Sequence, residues 1–272
     1  MPELPEVETT RRGIEPHVVG VTVSDVIVRR SDLRQPVSPC LDQITGQQIT
    51  GIRRRAKYLL LDVADGTTVL IHLGMSGSLR VIPASAEWKT HDHIGLSLSN
   101  GRQLRFHDPR RFGLVLRLTE PEPLDHALLA KLGPEPFADN FTPAYLKAAI
   151  CTRGTAIKLA IMDNAVVVGV GNIYAAEALF RAGIQPLAAA NRLSLGRLAK
   201  LVAAIQAVLS EAIESGGTTL RDFLQSDGKP GYFKQRLNVY DRKDEPCRTC
   251  ATAISHSVLG QRSTYWCSKC QR

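Results

Sequence analysis

The chain has 272 residues, with 34 lysines and arginines against 26 aspartates and glutamates, which gives a formal net charge of +8 at pH 7. Its 44% hydrophobic and 22% charged residues are typical of a globular chain that buries a core, which excludes wholesale disorder. Apolar runs stay short of the roughly 18 residues of a membrane span and no signal segment is recognisable, so we expect a cytoplasmic protein without a membrane partner.

The first half of the chain begins with a predicted short helix and continues as β-strands. Pro5 suits the first turn of a helix, Glu6 suits the positive end of its dipole, and Gly13 can close it. Runs of branched and apolar residues predict strands at 21–28, 58–63, 67–73, 94–99 and 103–106. Asp-Gly at 65–66 and Asn-Gly at 100–101 are typical of hairpin turns. We therefore expect an antiparallel β-sandwich or barrel.

The second half of the chain is predicted to be helical. Prolines and acids between residues 119 and 141 indicate an interdomain linker at 133–139. Helical spacing follows at 143–150, 172–182, 194–214 and 219–224. The predicted fold class is α+β and multidomain, with an N-terminal helix and β-sandwich at 1–132, a helical domain at 133–240 and a C-terminal zinc-binding hairpin at 241–272.

The prediction of a zinc-binding hairpin rests on four cysteines. Cys247, Cys250, Cys267 and Cys270 form two C-x2-C pairs separated by sixteen residues. Each pair can place two sulfurs on one side of a shared ion, so the pattern indicates one structural Zn²⁺ with four thiolate ligands and no open position for water. Two disulfides are the alternative, which would require an oxidising compartment.

Pro2 bears on the chemistry of the N-terminus. A small second residue permits removal of Met1, after which Pro2 carries a secondary amine with a pKa of about 8. Such an amine is partly unprotonated at neutral pH and can attack an aldehyde-level carbon to give a charged iminium, as a lysine does in a Schiff base. If Met1 is retained, the Pro2 nitrogen is an amide and cannot react. The alternative for the acids beside Pro2 is that they only stabilise the helix.

Seven segments resemble, in the same order, those of the bacterial formamidopyrimidine-DNA glycosylases. They are MPELPEVET, RRAKYLLL, HLGMSGSLR, HDPRRFG, VVGVGNIYA, GGTTLRDF and the terminal four-cysteine finger. The resemblance covers essentially the whole chain. It implies a bifunctional base excision repair enzyme that removes oxidised purines, such as 8-oxoguanine and formamidopyrimidines, from damaged double-stranded DNA and then cuts the strand by β,δ-elimination. It also implies a monomer and a DNA-binding helix-two-turn-helix element in the helical domain.

The resemblance assigns catalytic roles to four residues. Pro2 matches the nucleophile that attacks C1′ of the damaged nucleotide, and Glu3 matches the acid that assists ring opening and proton transfer. Lys57 matches a lysine of the glycosylase and elimination steps, although the sequence alone also fits a solvated strand residue. Arg262 matches a finger arginine that contacts phosphates beside the lesion and serves the final elimination. Glu6 matches a carboxylate close to the same pocket.

The resemblance also implies a set of DNA contacts, which the net positive charge alone does not establish. An enzyme that acts on a stacked base must extrude it and fill the gap. Met75, Arg110 and Phe112 match the three intercalating residues of the family, and core packing is the alternative for the two apolar ones. The implied contacts to phosphate are His91, Lys158 and Asn172, and we expect Arg153, which lies just upstream of Lys158, to be an additional one. The glycine-rich stretch at 216–231 is expected to be a loop that closes over the everted base.

Two positions depart from the family pattern, and two other functions remain open. Leu159 stands where a proline is usual, and His107 stands where a small or hydroxyl residue is common. One alternative is a protein resembling endonuclease VIII, which uses the same proline chemistry on oxidised pyrimidines. The other is a non-catalytic protein that keeps the fold for binding damaged DNA. Substrate preference distinguishes a purine-specific enzyme from the first alternative, and covalent trapping of DNA distinguishes an active enzyme from the second.

Overall fold

A computed structural model describes residues 2–120, 122–217 and 236–272. These residues form two compact units. The first contains residues 2–120, 122–130 and 215–217, and the second contains residues 131–214 and 236–272. The helix expected at 219–224 and most of the loop expected at 216–231 lie outside the described residues.

The first unit is a β-sandwich preceded by a helix. Its α-helix and β-strands are α1 (Leu4–Val18), β1 (Val23–Val28), β2 (Ile49–Arg55), β3 (Tyr58–Val63), β4 (Thr68–His72), β5 (Ser78–Pro83), β6 (Asp92–Leu98), β7 (Arg102–His107) and β8 (Leu114–Leu118). The strands pair antiparallel in two sheets, of order β1-β6-β7-β5 and β2-β3-β4-β8. This topology confirms the predicted antiparallel sandwich.

The core of the first unit contains residues from both sheets and from α1. Leu59 and Leu61 on β3 are buried together with Phe106 on β7, as expected where alternate strand residues face a core. Helix α1 packs on β2 and β3 and adds Ile14 and Val18 to the same cluster. Each fully buried side chain of this size stabilises the fold by roughly 1.5–3 kcal/mol. The core therefore fixes the strand ends, from which the functional loops emerge.

The second unit combines four described helices with a C-terminal hairpin. They are α2 (Pro143–Ile150), α3 (Ile157–Met162), α4 (Asn172–Arg181) and α5 (Leu195–Glu214), followed by β9 (Ser255–Leu259) and β10 (Arg262–Trp266). Helix α4 packs against α3, α5 and β10. The hairpin turns at Gly260 and Gln261, whose φ angles of 53° and 61° suit a type I′ turn. The predicted hairpin is confirmed, and Arg262 is the first residue of β10, directly after the turn.

The elements differ from the sequence predictions at a few places. Both glycine turns are confirmed, with φ of 83° at Gly66 and 77° at Gly101. The sequence patterns do not predict β2, β5, β8 or α3, because arginines interrupt the strand alternation and α3 spans only six residues. Helix α1 continues past Gly13, its expected end, because Ile14 and Val18 extend its buried face. Among the described helices, none is both long and apolar enough to cross a bilayer.

Candidate active site

The start of α1 places Pro2 and two carboxylates in buried positions. Pro2 is buried, Glu3 is 2% exposed and Glu6 is fully buried. The Glu3 N–H donates to Oε2 of Glu6 at 2.8 Å, so Glu6 satisfies a backbone donor at the N-terminus of the helix. The backbone of Gly217 approaches the same carboxylate, since a Cβ at position 217 would lie 3.1 Å from Oε1 of Glu6. Both acids are therefore held close to Pro2 and away from bulk water.

Lys57 lies in the tight turn between β2 and β3. Arg55 pairs with Tyr58 across this turn, so Ala56 and Lys57 are its two central residues. Ala56 has a φ of 54°, in the left-handed region that costs a non-glycine residue roughly 1–2 kcal/mol. The side chain of Lys57 is buried, and lysines are rarely buried without a specific reason. Burial of Lys57 therefore excludes the alternative of a solvated strand residue.

An ion pair connects α1 to the turn that carries Lys57. Arg54 Nε donates to Oε2 of Glu8, on α1, at 3.1 Å. The same guanidinium donates from Nη1 to the carbonyl of Ala56 at 3.0 Å. Glu8 and Arg54 are both largely buried, so the pair is poorly screened by solvent. The connection fixes the position of the Lys57 turn relative to the helix that begins beside Pro2.

His72, at the end of β4, lies beside the same turn. It pairs with Tyr58 across β3 and β4, with ring centroids 4.9 Å apart. Its Nδ1 accepts a hydrogen bond from the Gly74 N–H at 2.9 Å. Burial, together with the positive charges of Lys57 and Arg34, lowers the pKa of His72 from 6.5 to about 4. His72 is therefore neutral at physiological pH and adds no positive charge next to Lys57.

Met75, Arg110 and Phe112, which we call the wedge residues, lie on two loops of the first unit. Met75 is half-buried and Arg110 is exposed, whereas Phe112 is 44% exposed. The guanidinium carbon of Arg110 lies 5.2 Å from the centre of the Phe112 ring, which is a cation–π distance. The exposure of Phe112 excludes core packing as the reason for a phenylalanine at this position.

His91 is exposed and precedes β6 directly. Its ring centroid lies 5.9 Å from that of His107, where the sequence departs from the family pattern. Nδ1 of His107 lies 2.8 Å from Oδ1 of Asp92, a buried carboxylate. Burial, together with the charges of Arg80 and His91, lowers the pKa of His107 below 6.5 although Asp92 opposes the shift. The unusual histidine therefore lies beside the residue expected to contact phosphate.

Two of the expected phosphate contacts in the second unit bind the C-terminal hairpin. Lys158 Nζ donates to the carbonyl of Ser263 at 2.9 Å and to Oγ1 of Thr264 at 2.8 Å, and its side chain is fully buried. Asn172 Nδ2 donates to the same Ser263 carbonyl at 3.0 Å. Arg262, the neighbour of Ser263, is exposed. The structure therefore brings Lys158 and Asn172 to the strand that presents Arg262.

Arg153, the remaining expected contact in the second unit, forms an ion pair at the surface. Its Nη1 lies 2.6 Å from Oδ2 of Asp163, and both side chains remain more than one-third exposed, at 35% and 38%. A pair this open to solvent contributes little to stability. The guanidinium of Arg153 therefore remains accessible from solvent.

The four C-terminal cysteines converge on one point. Their sulfurs all lie within 4.8 Å of one another, with 3.9 Å between Cys247 and Cys270 and 3.4 Å between Cys250 and Cys267. A tetrahedral zinc ion with Zn–S bonds of about 2.3 Å needs sulfurs about 3.8 Å apart. A disulfide needs about 2.05 Å. The spacing of the four sulfurs therefore suits one structural zinc ion better than two disulfides.

Three residues that organise the site, Glu8, Ser76 and Asp108, are not among the predicted site residues. The carboxylate of Asp108 is fully buried, although the residue belongs to an arginine-rich loop. The sequence signal for Asp108 is its position between a strand and two arginines. A carboxylate buried at such a position is paired or hydrogen-bonded, and it can therefore organise the loop.

Family models match the chain in three successive segments. Residues 1–115 match the formamidopyrimidine-DNA glycosylase N-terminal domain, and residues 132–224 match the formamidopyrimidine-DNA glycosylase H2TH domain. Residues 244–272 match a zinc finger found in FPG and IleRS. Together, the three models match most of the chain and include the four cysteines.

Individual proteins agree with these matches over their full length. The chain is 55% identical to a formamidopyrimidine-DNA glycosylase of Xanthomonas campestris, with 100% of both sequences aligned. Its structure is similar to that of a Lactococcus lactis Fpg variant in complex with Fapy-dG containing DNA, with a TM-score of 0.93, 31% identity and 100% of both chains covered. It is also similar to wild-type Lactococcus lactis Fpg in complex with an oxidised pyrimidine containing DNA, with a TM-score of 0.92, 31% identity and the same coverage.

Proposed function

The chain belongs to the formamidopyrimidine-DNA glycosylase family, and on this premise we propose that it is a base excision repair enzyme that removes oxidised purines from damaged duplex DNA and then cuts the strand. The damaged DNA in the complex of a structural relative supports the substrate class, since Fapy-dG is an oxidised purine nucleotide. We further propose that the enzyme acts as a monomer on the bacterial nucleoid, in the cytoplasm.

Pro2 is the nucleophile in this proposal. After removal of Met1, its secondary amine attacks C1′ of the damaged nucleotide, and the bond between C1′ and the base breaks as the base takes up a proton. The C1′–O4′ bond then opens, the ring oxygen takes a proton, and a positively charged iminium joins Pro2 to C1′. Loss of a proton from C2′ expels the 3′ phosphate, and a second elimination expels the 5′ phosphate. Water finally hydrolyses the iminium and returns the free amine.

The carboxylate of Glu3 and the amine of Lys57 support these steps. A carboxylate beside the iminium stabilises its positive charge, and it can deliver a proton to the opening sugar ring. Lys57 serves proton transfer in the glycosylase and elimination steps. Burial strengthens both effects, because charges interact more strongly where water is excluded. Because His72 is neutral at physiological pH, it adds no positive charge beside Lys57.

The other proposed site residues hold the DNA. Met75 and Phe112 fill the gap left by the everted base, and Arg110 hydrogen-bonds the orphaned cytosine. The proposed phosphate contacts are His91, Arg153, Asn172 and Arg262, with Lys158 beside them. The zinc ion held by the four cysteines would supply rigidity to the hairpin and no chemistry, because sulfur fills all four of its positions. This assignment divides the chain into a catalytic domain at 1–132, a DNA-binding domain at 133–240 and a zinc finger at 241–272.

One structural observation carries the catalytic part of the proposal. The buried start of α1, which contains Pro2 and Glu3, is connected through Glu8 and Arg54 to the turn of the buried Lys57. This arrangement holds a nucleophile, an acid and an amine on rigid elements, as covalent catalysis requires.

Covalent trapping tests the proposed nucleophile. Borohydride reduces an iminium to a stable amine, so the enzyme and a duplex containing 8-oxoguanine should give a covalent adduct, and peptide mapping should place the link at residue 2. We expect Pro2→Gly to lose the adduct while it still binds the duplex. Pro5→Ala is the matched control, since it removes a neighbouring proline and should retain the adduct. An adduct on another residue, or full activity in molecules that retain Met1, would contradict the proposal.

Oxidised pyrimidines are a second candidate substrate. The observation that favours them is the complex of wild-type Lactococcus lactis Fpg with an oxidised pyrimidine containing DNA. Single-turnover excision of 8-oxoguanine opposite cytosine and of thymine glycol, measured side by side, separates the two substrate classes. We expect faster excision of 8-oxoguanine. The reverse order would indicate an enzyme that resembles endonuclease VIII, and excision of neither base would indicate a non-catalytic protein.

A further inference from the structure

The two loops that carry the wedge residues emerge at the same end of the sandwich. One joins β4 to β5 and contains Met75, and the other joins β7 to β8 and contains Arg110 and Phe112. Strand β4 pairs antiparallel with β8 in one sheet, and β5 pairs antiparallel with β7 in the other. Both loops therefore cross from sheet to sheet between the same four strand ends.

The carboxylate of Asp108 connects these two loops. It is fully buried. Its Oδ1 accepts a hydrogen bond from Ser76 Oγ at 2.9 Å, and its Oδ2 accepts one from the Gly113 N–H at 2.8 Å. Oγ of Ser76 in turn accepts a hydrogen bond from the backbone N–H of Arg110 at 3.2 Å. One carboxylate thus holds the loop after β4 and both ends of the loop after β7.

The backbone of Asp108 extends the connection to His91. The Asp108 N–H donates to the carbonyl of His91 at 3.0 Å, and its carbonyl accepts a hydrogen bond from the Arg111 N–H at 3.2 Å. Nε2 of His93 lies 2.8 Å from the same carbonyl. Hydrogen bonds to charged groups are stronger than those between neutral groups, and a buried network that is fully paired rigidifies its members. The expected phosphate contact and the wedge residues therefore share one support.

The two loops also touch through their main chains. Gly74 has a φ of +67°, and a Cβ at this position would lie 2.4 Å from the carbonyl carbon of Phe112 and 2.5 Å from the nitrogen of Gly113. Only glycine permits so close an approach of two backbones. The loops cannot slide past each other without breaking this contact.

We propose that Asp108 is a positioning residue for base extrusion, which locks Met75, Arg110 and Phe112 into one rigid wedge that enters the duplex as a unit. The proposal rests on the proposed function and deepens it by identifying what holds the intercalating side chains. Loops that are ordered beforehand lose less conformational freedom on binding, so more of the contact energy is available to unstack the damaged base. Asp108 touches neither the sugar nor the base in this role.

The test compares two reactions of the same enzyme. Excision of 8-oxoguanine opposite cytosine requires extrusion of a stacked base, whereas cleavage of a preformed abasic site has no base to unstack. Asp108→Asn removes the negative charge and replaces one accepting oxygen by an NH₂ group of similar size, so the side chain can accept from only one of the two donors, Ser76 Oγ or the Gly113 N–H. We expect single-turnover excision to slow by about ten- to hundredfold, while cleavage of the abasic site stays within about threefold. Fluorescence of 2-aminopurine beside the lesion should rise more slowly by the same factor as excision.

Asp65→Asn is the matched control. Asp65 also accepts two hydrogen bonds, from the Thr67 N–H of its own turn at 2.9 Å and from Arg117 Nη2 on β8 at 2.9 Å. It lies in the turn before β4, at the opposite end of that strand from Met75. We expect both reaction rates to match those of the unmodified enzyme.

The outcomes separate the positioning role from a merely structural one. Equal slowing of both reactions by Asp108→Asn would show that Asp108 only maintains the fold, and no slowing would show that the wedge does not depend on it. If circular dichroism shows that Asp108→Asn is unfolded, Ser76→Ala decides, since it removes only the hydroxyl between Asp108 and Arg110. A selective, smaller loss of excision would then support the proposal, and an unchanged ratio of the two rates would overturn it. Failure of the unmodified enzyme in both reactions would instead contradict the proposed function.

Discussion

The ammonium of Lys158 lies 2.9 Å from the carbonyl oxygen of Ser263, although 105 residues separate them in the sequence. Asn172 donates to the same oxygen. Two residues of the helical region thus converge on the strand of the hairpin that presents Arg262. We infer that Lys158 acts on DNA chiefly by holding this strand, because its buried ammonium already has two partners in the hairpin.

Replacement of Lys158 should alter the products of strand cleavage. In Lys158→Gln the strand of Arg262 is held less firmly, so we expect the second elimination to slow by about tenfold relative to the first. Gel analysis of the 3′ ends measures this ratio. Lys147→Gln is the control, since Lys147 Nζ also donates to two carbonyls, of Asn191 at 3.1 Å and of Leu193 at 2.8 Å. The same product shift in both variants would contradict the inference.

Neutralising Glu8 should lower stability and slow excision together. Burial by itself raises the pKa of Glu8, but hydrogen bonds from Arg11 and Arg12 and the charges of Arg11 and Arg54 outweigh it, so the pKa lies below 4.5. We expect Glu8→Gln to reduce the free energy of unfolding by about 1–3 kcal/mol and to slow excision, because the turn of Lys57 is released. Urea unfolding and single-turnover excision measure the two effects.

The pH dependence of Glu8 has a definite sign. Its folded-state pKa is depressed, so its contribution to stability is present above pH 4.5 and is lost as the pH falls through the lowered value. Glu15→Gln is the control, because Glu15 also pairs with Arg11, at 2.8 Å, but its side chain is 44% exposed. We expect a loss below about 1 kcal/mol for Glu15→Gln. An equal loss in both variants would show that burial of Glu8 is unimportant.

His72 should destabilise the protein in mild acid. Its pKa is about 4 in the folded protein and about 6.5 when unfolded, so only the unfolded state binds the proton between these values. The free energy of unfolding should therefore fall by about 1.4 kcal/mol per pH unit from pH 6.5 towards 4, and His72 should have no effect above this range. His72→Asn should remove this pH-dependent loss of stability, whereas His17→Asn should retain it. Urea unfolding at several pH values measures the difference between the two variants.

Loss of zinc should affect the two units differently. Cys247→Ser removes one of the four ligands, so we expect the hairpin of Arg262 to lose its order and DNA affinity to fall. The β-sandwich carries none of these cysteines, and its unfolding transition should not change. Cys151→Ser, at an exposed cysteine, should leave both properties intact. Fluorescence anisotropy with a labelled duplex and urea unfolding measure them, and undiminished affinity after chelation would show that the finger is dispensable.

The sequence predicts those parts of the fold that depend on local patterns. Glycine turns such as those at Gly66 and Gly101 are specified by two residues, and the zinc site follows from the spacing of four cysteines. Strand β2 is not predicted because it ends in three arginines. The partners that stabilise such arginines, for example Glu8 for Arg54, lie far away in the sequence.

In the candidate site, too, some residues are predicted from the sequence and others are recognised only from the structure. The family resemblance points to Pro2 and Lys57, but the burial of Lys57 in a strained turn is visible only once β2 and β3 are paired. Asp108 is 32 residues away from Ser76, and no local pattern connects them. A supporting residue of this kind is recognised only when two loops meet in three dimensions.

The close approach of Gly74 to Phe112 has a consequence for substitutions at position 112. The contact involves only main-chain atoms of residues 112 and 113. The position of this loop therefore does not depend on the side chain at position 112. Substitution of the Phe112 side chain should therefore leave the main-chain contact between the two loops intact.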